Sequence, residues 1–187
     1  MSFTTNLNEF LDFSIFTNKT VCIDEQAYTN IDFIICAIVD YFPTIRIVSA
    51  YHTSSHYKSI FKKYSIREYN ELNSSIYIID TYKEENHIAF DKYSTFLLDD
   101  YSTLKKVYNL GVMTESTSFY IYRSDSIMPS EKLLFDFYIK TYPLSSGLSL
   151  DYDGNCEIRK RDQIITRFKY KIKRDSILYE EEKNNFI

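Results

Sequence analysis

Two adjacent carboxylates, Asp99 and Asp100, close residues 93–100 (YSTFLLDD), and they are the side chains of this 187-residue sequence best placed to do chemistry. The apolar run Phe96, Leu97 and Leu98 before them reads as a strand buried on both faces. Open α/β sheets meet their ligands at the carboxyl ends of strands, so an acid pair there is where a nucleotide enzyme would hold magnesium. Such an enzyme also needs a phosphate loop after its first strand, of the form GxxxxGK[ST], whose backbone amides cradle phosphates while the lysine neutralises them. Here the first strand is residues 20–24 (TVCID), and the loop reads Asp24-Glu25-Gln26-Ala27-Tyr28-Thr29, with no glycine, no lysine and two acids. Acids at that place would repel a triphosphate. Asp24, Thr29, Asp99 and Asp100 are therefore read as positions of a degenerate nucleotide site. The plainer reading makes the acid pair a helix N-cap and a solvated loop acid.

Other reactive types give weaker patterns. His52 and His56 stand four apart and could share a helix face, but no HExxH pattern accompanies them, and no GxSxG elbow is present. A polar loop and helix start is the favoured reading over a zinc pair. Cys22, Cys36 and Cys156 are odd in number and lack CxxC spacing, so they read as small buried hydrophobes, neither disulfides nor metal ligands. The site assignment thus contains no catalytic residue, no metal and no cofactor.

The remaining candidate is a basic segment. Arg159, Lys160, Arg161, Arg167, Lys169, Lys171, Lys173 and Arg174 face a single acid, Asp162, although the whole chain carries a net charge of −4. In residues 168–174 (FKYKIKR) lysines alternate with Phe168, Tyr170 and Ile172, which predicts a strand with one core face and one basic face. Such a face could track a nucleic-acid backbone by charge. Lysines guarding an edge strand against aggregation, or a contact with an acidic subunit, would need the same residues.

The elements that position these groups alternate. After a partly ordered arm (1–18) and the first strand, Thr29 and Asp32 form a capping-box signal for a helix running to Pro43. A strand (46–51), a polar turn (52–56) and a basic amphipathic helix (57–64) follow, then strands at 75–80 and 93–100 with a polar segment at 83–86 between them. This order predicts an α/β fold with a mostly parallel sheet flanked by helices. A short helix (101–109) closes on Gly111, and residues 114–126 are ambiguous between strand and helix. Beyond Pro129 the pattern turns to antiparallel β, with Asp153-Gly154 as a two-residue hairpin, and residues 180–187 read as a solvated tail. One domain spans 1–187. With no signal-like N-terminus and no apolar run approaching membrane length, a soluble, intracellular protein is expected.

The order of features resembles the Elongator complex protein 6 family. The residues that carry the resemblance are Ser54-Ser55-His56-Tyr57, Ile66 before the SIYIID strand, FLLDDYSTLKKVYNLGV (96–112), and Pro143-Leu144-Ser145-Ser146-Gly147 followed by Asp151 and Asp153-Gly154. FKYKIKRDSILYE completes the series. The resemblance implies a RecA-like domain without a P-loop, with antiparallel strands toward the C-terminus. It further implies a non-catalytic subunit that joins the fourth and fifth Elongator subunits in a heterohexameric ring. That ring binds tRNA, works with the larger catalytic subcomplex and supports wobble-uridine modification, in the cytoplasm with the nucleus as a second compartment and with no membrane. Arg159, Lys160, Arg161, Lys169, Lys171 and Lys173 are then the tRNA-binding candidates. The alternative is a diverged RecA-like nucleotide-binding enzyme using Asp99 or Asp100 for Mg²⁺.

Overall fold

Alternating apolar runs and amphipathic stretches produce a single mixed sheet with helices on both faces. A computed structural model describes residues 3–4, 7, 11–42, 44–64, 76–80, 95–123, 127, 129–147, 149–173 and 177–182. The strands are β1 (Phe3–Thr4), β2 (Thr20–Glu25), β3 (Ile45–Ser49), β4 (Ile76–Asp80), β5 (Thr95–Asp99), β6 (Ser118–Arg123), β7 (Phe137–Tyr142), β8 (Gly154–Lys160), β9 (Gln163–Ile172) and β10 (Ile177–Glu181). The helices are α1 (Asp32–Tyr41), α2 (Ser54–Lys63), α3 (Tyr101–Tyr108) and the single turn α4 (Pro129–Lys132). Strand order is β1-β10-β9-β8-β7-β2-β6-β5-β3-β4. From β7 to β4 every neighbouring pair is parallel, and from β7 to β1 every pair is antiparallel.

Strands β2, β3, β5 and β6 are largely apolar and buried along their length because both faces are covered. Ile23, Ile47 and Leu97 pack under Ile34 and Ile38 of α1 and Tyr57 and Phe61 of α2. Phe96, Leu98 and Tyr120 pack on the other face against Tyr101 and Leu104 of α3. All three cysteines are buried and free, and burial pushes each thiol pKa upward. Among the described residues no helix is long and apolar enough to cross a membrane.

Several expectations change. The helix-start signal is not Thr29 but Asn30, whose Oδ1 accepts from the Asp32 N–H at 2.7 Å, while the Thr29 hydroxyl contacts Gln26 O and Thr141 Oγ1. Helix α2 begins at Ser54, inside the expected polar turn. The left-handed cap of α3 is Asn109 (φ 52°), not Gly111. Residues 118–123 resolve as strand β6. Strand β7, expected to be antiparallel, is parallel to β2 and antiparallel only to β8. The cause is Asp136, whose carboxylate accepts from the Thr20 N–H at 3.0 Å and its hydroxyl at 3.1 Å, setting the start of β7 beside the start of β2.

Asp153-Gly154 is not a hairpin. The two-residue loop is Arg161-Asp162 between β8 and β9, where Lys160 pairs with Gln163 and Arg161 takes φ 54°. Gly154 serves packing instead: a Cβ there would lie 2.6 Å from Tyr170 Oη and 2.8 Å from its Cζ, and Tyr170 is fully buried. Gly154→Ala is expected to cost about 1–3 kcal/mol through overpacking, read as a lower urea midpoint at unchanged slope. Glu180 and Glu181 belong to β10, not to a solvated tail. Ser75, Ile66, Pro43, Arg174 and the segments 83–86, 93–94 and 183–187 lie outside the described residues.

Candidate functional site

The carboxyl ends of β2 and β6, the loops after β2 and β3 and the starts of α1 and α2 surround a cleft of about 290 Å³ lined by Glu25, Thr29, Asp32, His52, His56 and Arg123, among others. The loop after β2 forms one wall. Thr29 N–H donates to Gln26 O at 3.2 Å, and Tyr28 in that turn takes the left-handed φ of 65° with its ring 96% exposed. A bulky residue in that conformation is uncommon.

Behind the cleft lies a saturated ion pair. Asp99 is fully buried, and its Oδ1 accepts from Arg123 Nη2 at 2.6 Å and Nε at 3.0 Å. Its Oδ2 accepts from the Tyr57 hydroxyl at 2.5 Å and faces Ser49 Oγ at 3.4 Å. Arg123 also reaches Glu25 through Nη1, and its guanidinium lies 4.6 Å over the Tyr51 ring. Burial alone would lower the Arg123 pKa, but the carboxylates of Asp99 and Glu25 outweigh it and hold it above its ordinary value. Burial, with Asp99 adding to it, pushes the Tyr57 phenol well up. Burial raises Glu25, with Arg123 opposing. Both lone-pair directions of each Asp99 oxygen are in use, so the carboxylate stands where magnesium chemistry would place it with no oxygen left to offer.

The four degenerate-site positions are not brought together. Thr29 lines the cleft and Asp99 sits behind it. Asp100 caps α3 from a left-handed backbone (φ 57°), accepting from the Thr103 N–H at 3.4 Å and Ser102 Oγ at 2.7 Å. One acid of the pair is thus the expected N-cap, while the other is buried, not solvated. Asp24 alternates with Ile23 and points to the α3 side of the sheet, where it accepts from the Tyr138 hydroxyl.

His52 and His56 are joined by a third group that sequence spacing did not reveal. Asp32, the first residue of α1, places Oδ1 3.5 Å from His56 Nε2. The two imidazoles stack with centroids 3.6 Å apart and planes 11° apart. Burial lowers the His52 pKa to about 4. Arg123 and Asp32 were both missed: the first lies within the ambiguous segment 114–126, and the second served only as a capping signal.

The basic segment folds as expected on alternation but not on edges. Phe168 and Tyr170 are buried while Lys169 and Lys171 face outward, yet β9 is flanked by β8 and β10, so its lysines guard no edge. Register instead sets charges opposite each other: Lys140 and Arg167 flank Glu157, and Lys169 stands opposite Glu180. Arg159 and Arg167 both bond Glu157; burial would raise that carboxyl, but the two guanidiniums hold it below its usual value. Lys171 pairs with Asp153 at 3.0 Å, Lys169 with Glu182 at 3.8 Å, and the Lys160 ammonium lies 5.8 Å over the Phe137 ring. Arg161 and Lys173 are exposed at the two ends of β9. Arg159 and Arg161 also line a separate groove of about 550 Å³ with Lys132, Tyr138 and Lys140.

No protein-family model matches the chain, and no curated protein matches it. Solved structures do. The crystal structure of flagellar accessory protein FlaH from Methanocaldococcus jannaschii aligns with TM-score 0.60 at 10% identity, covering 88% of this chain and 90% of that one. An uncharacterized protein from Pyrococcus horikoshii, solved in complex with an unknown peptide, aligns with TM-score 0.58 at 12% identity, covering 96% and 100%. The fold is RecA-like. At these identities the likeness concerns the fold alone, and within this RecA-like frame the cleft lies at the strand ends where α/β ligand sites form.

Proposed function

We propose that the chain is a non-catalytic, RecA-like subunit of the Elongator complex. In this reading it joins the fourth and fifth Elongator subunits in a heterohexameric ring that binds tRNA and supports wobble-uridine modification by the larger catalytic subcomplex, in the cytoplasm and the nucleus. The observation that carries the reading is the Asp99–Arg123 pair. Asp99 at the end of β5 is saturated by the chain's own Arg123, Tyr57 and Ser49, and the loop across the cleft has neither glycine nor lysine. A RecA-like domain so arranged keeps the architecture of a nucleotide site without its chemistry. Its contribution is then to pair with neighbouring subunits and to offer cationic surface.

Co-expression tests the assembly. The chain purified with the fourth and fifth Elongator subunits is expected to elute with them as one ring-sized complex, and a monomer indifferent to both would overturn the proposal. Mg·ATP is expected to leave the melting temperature of the chain alone unchanged. Within the ring, neutralising Arg161, Lys169 and Lys173 to Gln should weaken tRNA binding. The slope of log K against log salt should become shallower by about 1 for each phosphate no longer neutralised. An unchanged slope removes this segment from the tRNA surface.

A further inference from the structure

The cleft contains a donor set that the proposed function does not use. A carboxylate oxygen of Asp32, a ring nitrogen of His52 and a ring nitrogen of His56 all lie within 4.8 Å of one another. His56 Nε2 is buried and has no hydrogen-bond partner among the described residues, although Asp32 Oδ1 stands 3.5 Å away. A buried ring nitrogen left unsatisfied beside a carboxylate is a deficit that an ion bound between them would remove. The groups are also held from behind. Asn30 Nδ2 donates to the other Asp32 oxygen at 3.3 Å, and the His52 backbone N–H donates to Ser49 Oγ at 2.8 Å. Such outer contacts orient metal ligands.

We propose that Asp32, His52 and His56 bind a divalent transition-metal ion of the zinc type, with its fourth coordination position open to the 290 Å³ cleft. Two imidazoles and one carboxylate suit zinc, cobalt or nickel, whereas magnesium and calcium require oxygen ligands. Tetrahedral zinc bonds of about 2.0–2.1 Å place ligand atoms roughly 3.3 Å apart. The Asp32–His56 distance is already close to that, and His52, in the loop before α2, must turn out of its stack on His56 to aim a ring nitrogen at the same ion. Arg123, a cation lining the same cleft, has its charge matched by Asp99 and Glu25. The ion would tie the starts of α1 and α2 to the loop after β3, and its open position would take water or an anionic group. This site does not depend on membership of Elongator, because it is read on the chain alone.

The test uses the full chain, freed of any affinity tag and dialysed against chelator, with Zn²⁺ added by calorimetric titration. One equivalent per chain is expected, together with a rise in melting temperature. Asp32→Asn, His52→Gln and His56→Gln should each weaken binding by at least about 100-fold, the upper end of what loss of an outer partner alone costs. Co²⁺ in place of zinc should give the intense visible bands of a four-coordinate site, lost in the same variants. Should His56→Gln fail to fold, His52→Gln decides, since it lies in a loop. No binding, or equal binding by the chain and its variants, overturns the proposal.

Discussion

Replacing Arg123 with Met is expected to destabilise the protein by about 3–5 kcal/mol, because it strands a fully buried carboxylate. For a chain of this size that corresponds to a fall in melting temperature of roughly 6–20 °C, measurable by thermal or urea unfolding. The loss comes from Asp99 and not from the volume of the arginine, so a second substitution should separate the two. Asp99→Asn combined with Arg123→Met leaves a neutral amide that still meets the Tyr57 hydroxyl and Ser49 Oγ, and much of the stability should return. Arg123→Lys should recover only part, since one ammonium cannot bond Asp99 through two nitrogens while reaching Glu25. If the single variant were as stable as the parent, Asp99 would not be held as an ion by this pair, and the account of the saturated site would fail. The same variant bears on function: were Asp99 a magnesium ligand masked by Arg123, freeing it would create Mg·ATP binding, whereas a site without a phosphate loop should gain none.

Sequence made the frame legible and left the site largely hidden, for reasons that differ by residue. The runs TVCID, IRIVS and TFLLD announce parallel strands because burial on both faces demands near-continuous apolar character. Asp99 was visible at the end of such a run, but its partner stands on the neighbouring strand, at the end of β6, and local pattern does not report pairing between strands. The two histidines were visible through their spacing, whereas Asp32 joins them only because the starts of α1 and α2 are placed side by side. Dipeptide preference misled at Asp153-Gly154, where glycine answers to the Tyr170 ring and not to a turn. The lysine alternation correctly gave the faces of β9. Edge protection failed because β10, and then β1 from the far end of the chain, add strands outside it. The acids that neutralise its lysines are likewise supplied by other segments, Asp153, Glu180 and Glu182.

The residues before β2 carry the second large effect. Composition there, with aromatics scattered among Asn, Ser and Thr, predicts a partly ordered arm that packs its aromatics on the domain; Phe13 and Phe16 do pack there, from a 3-10 turn capped by Asp12, whose Oδ1 accepts from the Ser14 N–H at 2.9 Å. Phe16 is fully buried and meets Phe137 and Phe119 edge to face, with centroids 5.0 and 5.9 Å away. Those two rings come from β7 and β6, the strands on either side of β2, so Phe16 closes the core over β2, near the middle of the ten-stranded sheet. Phe16→Ala is therefore expected to cost about 3–5 kcal/mol, the range for a buried aromatic whose cavity cannot collapse. Phe16→Leu, which refills most of that volume, should cost markedly less, and the urea midpoints of the two variants measure the difference. An arm that merely rests on the surface would give an alanine variant within about 0.5 kcal/mol of the parent. That outcome would separate the segment from the core, whereas the expected loss makes residues 11–16 part of what holds β6, β2 and β7 in line, and with them the wall of the cleft.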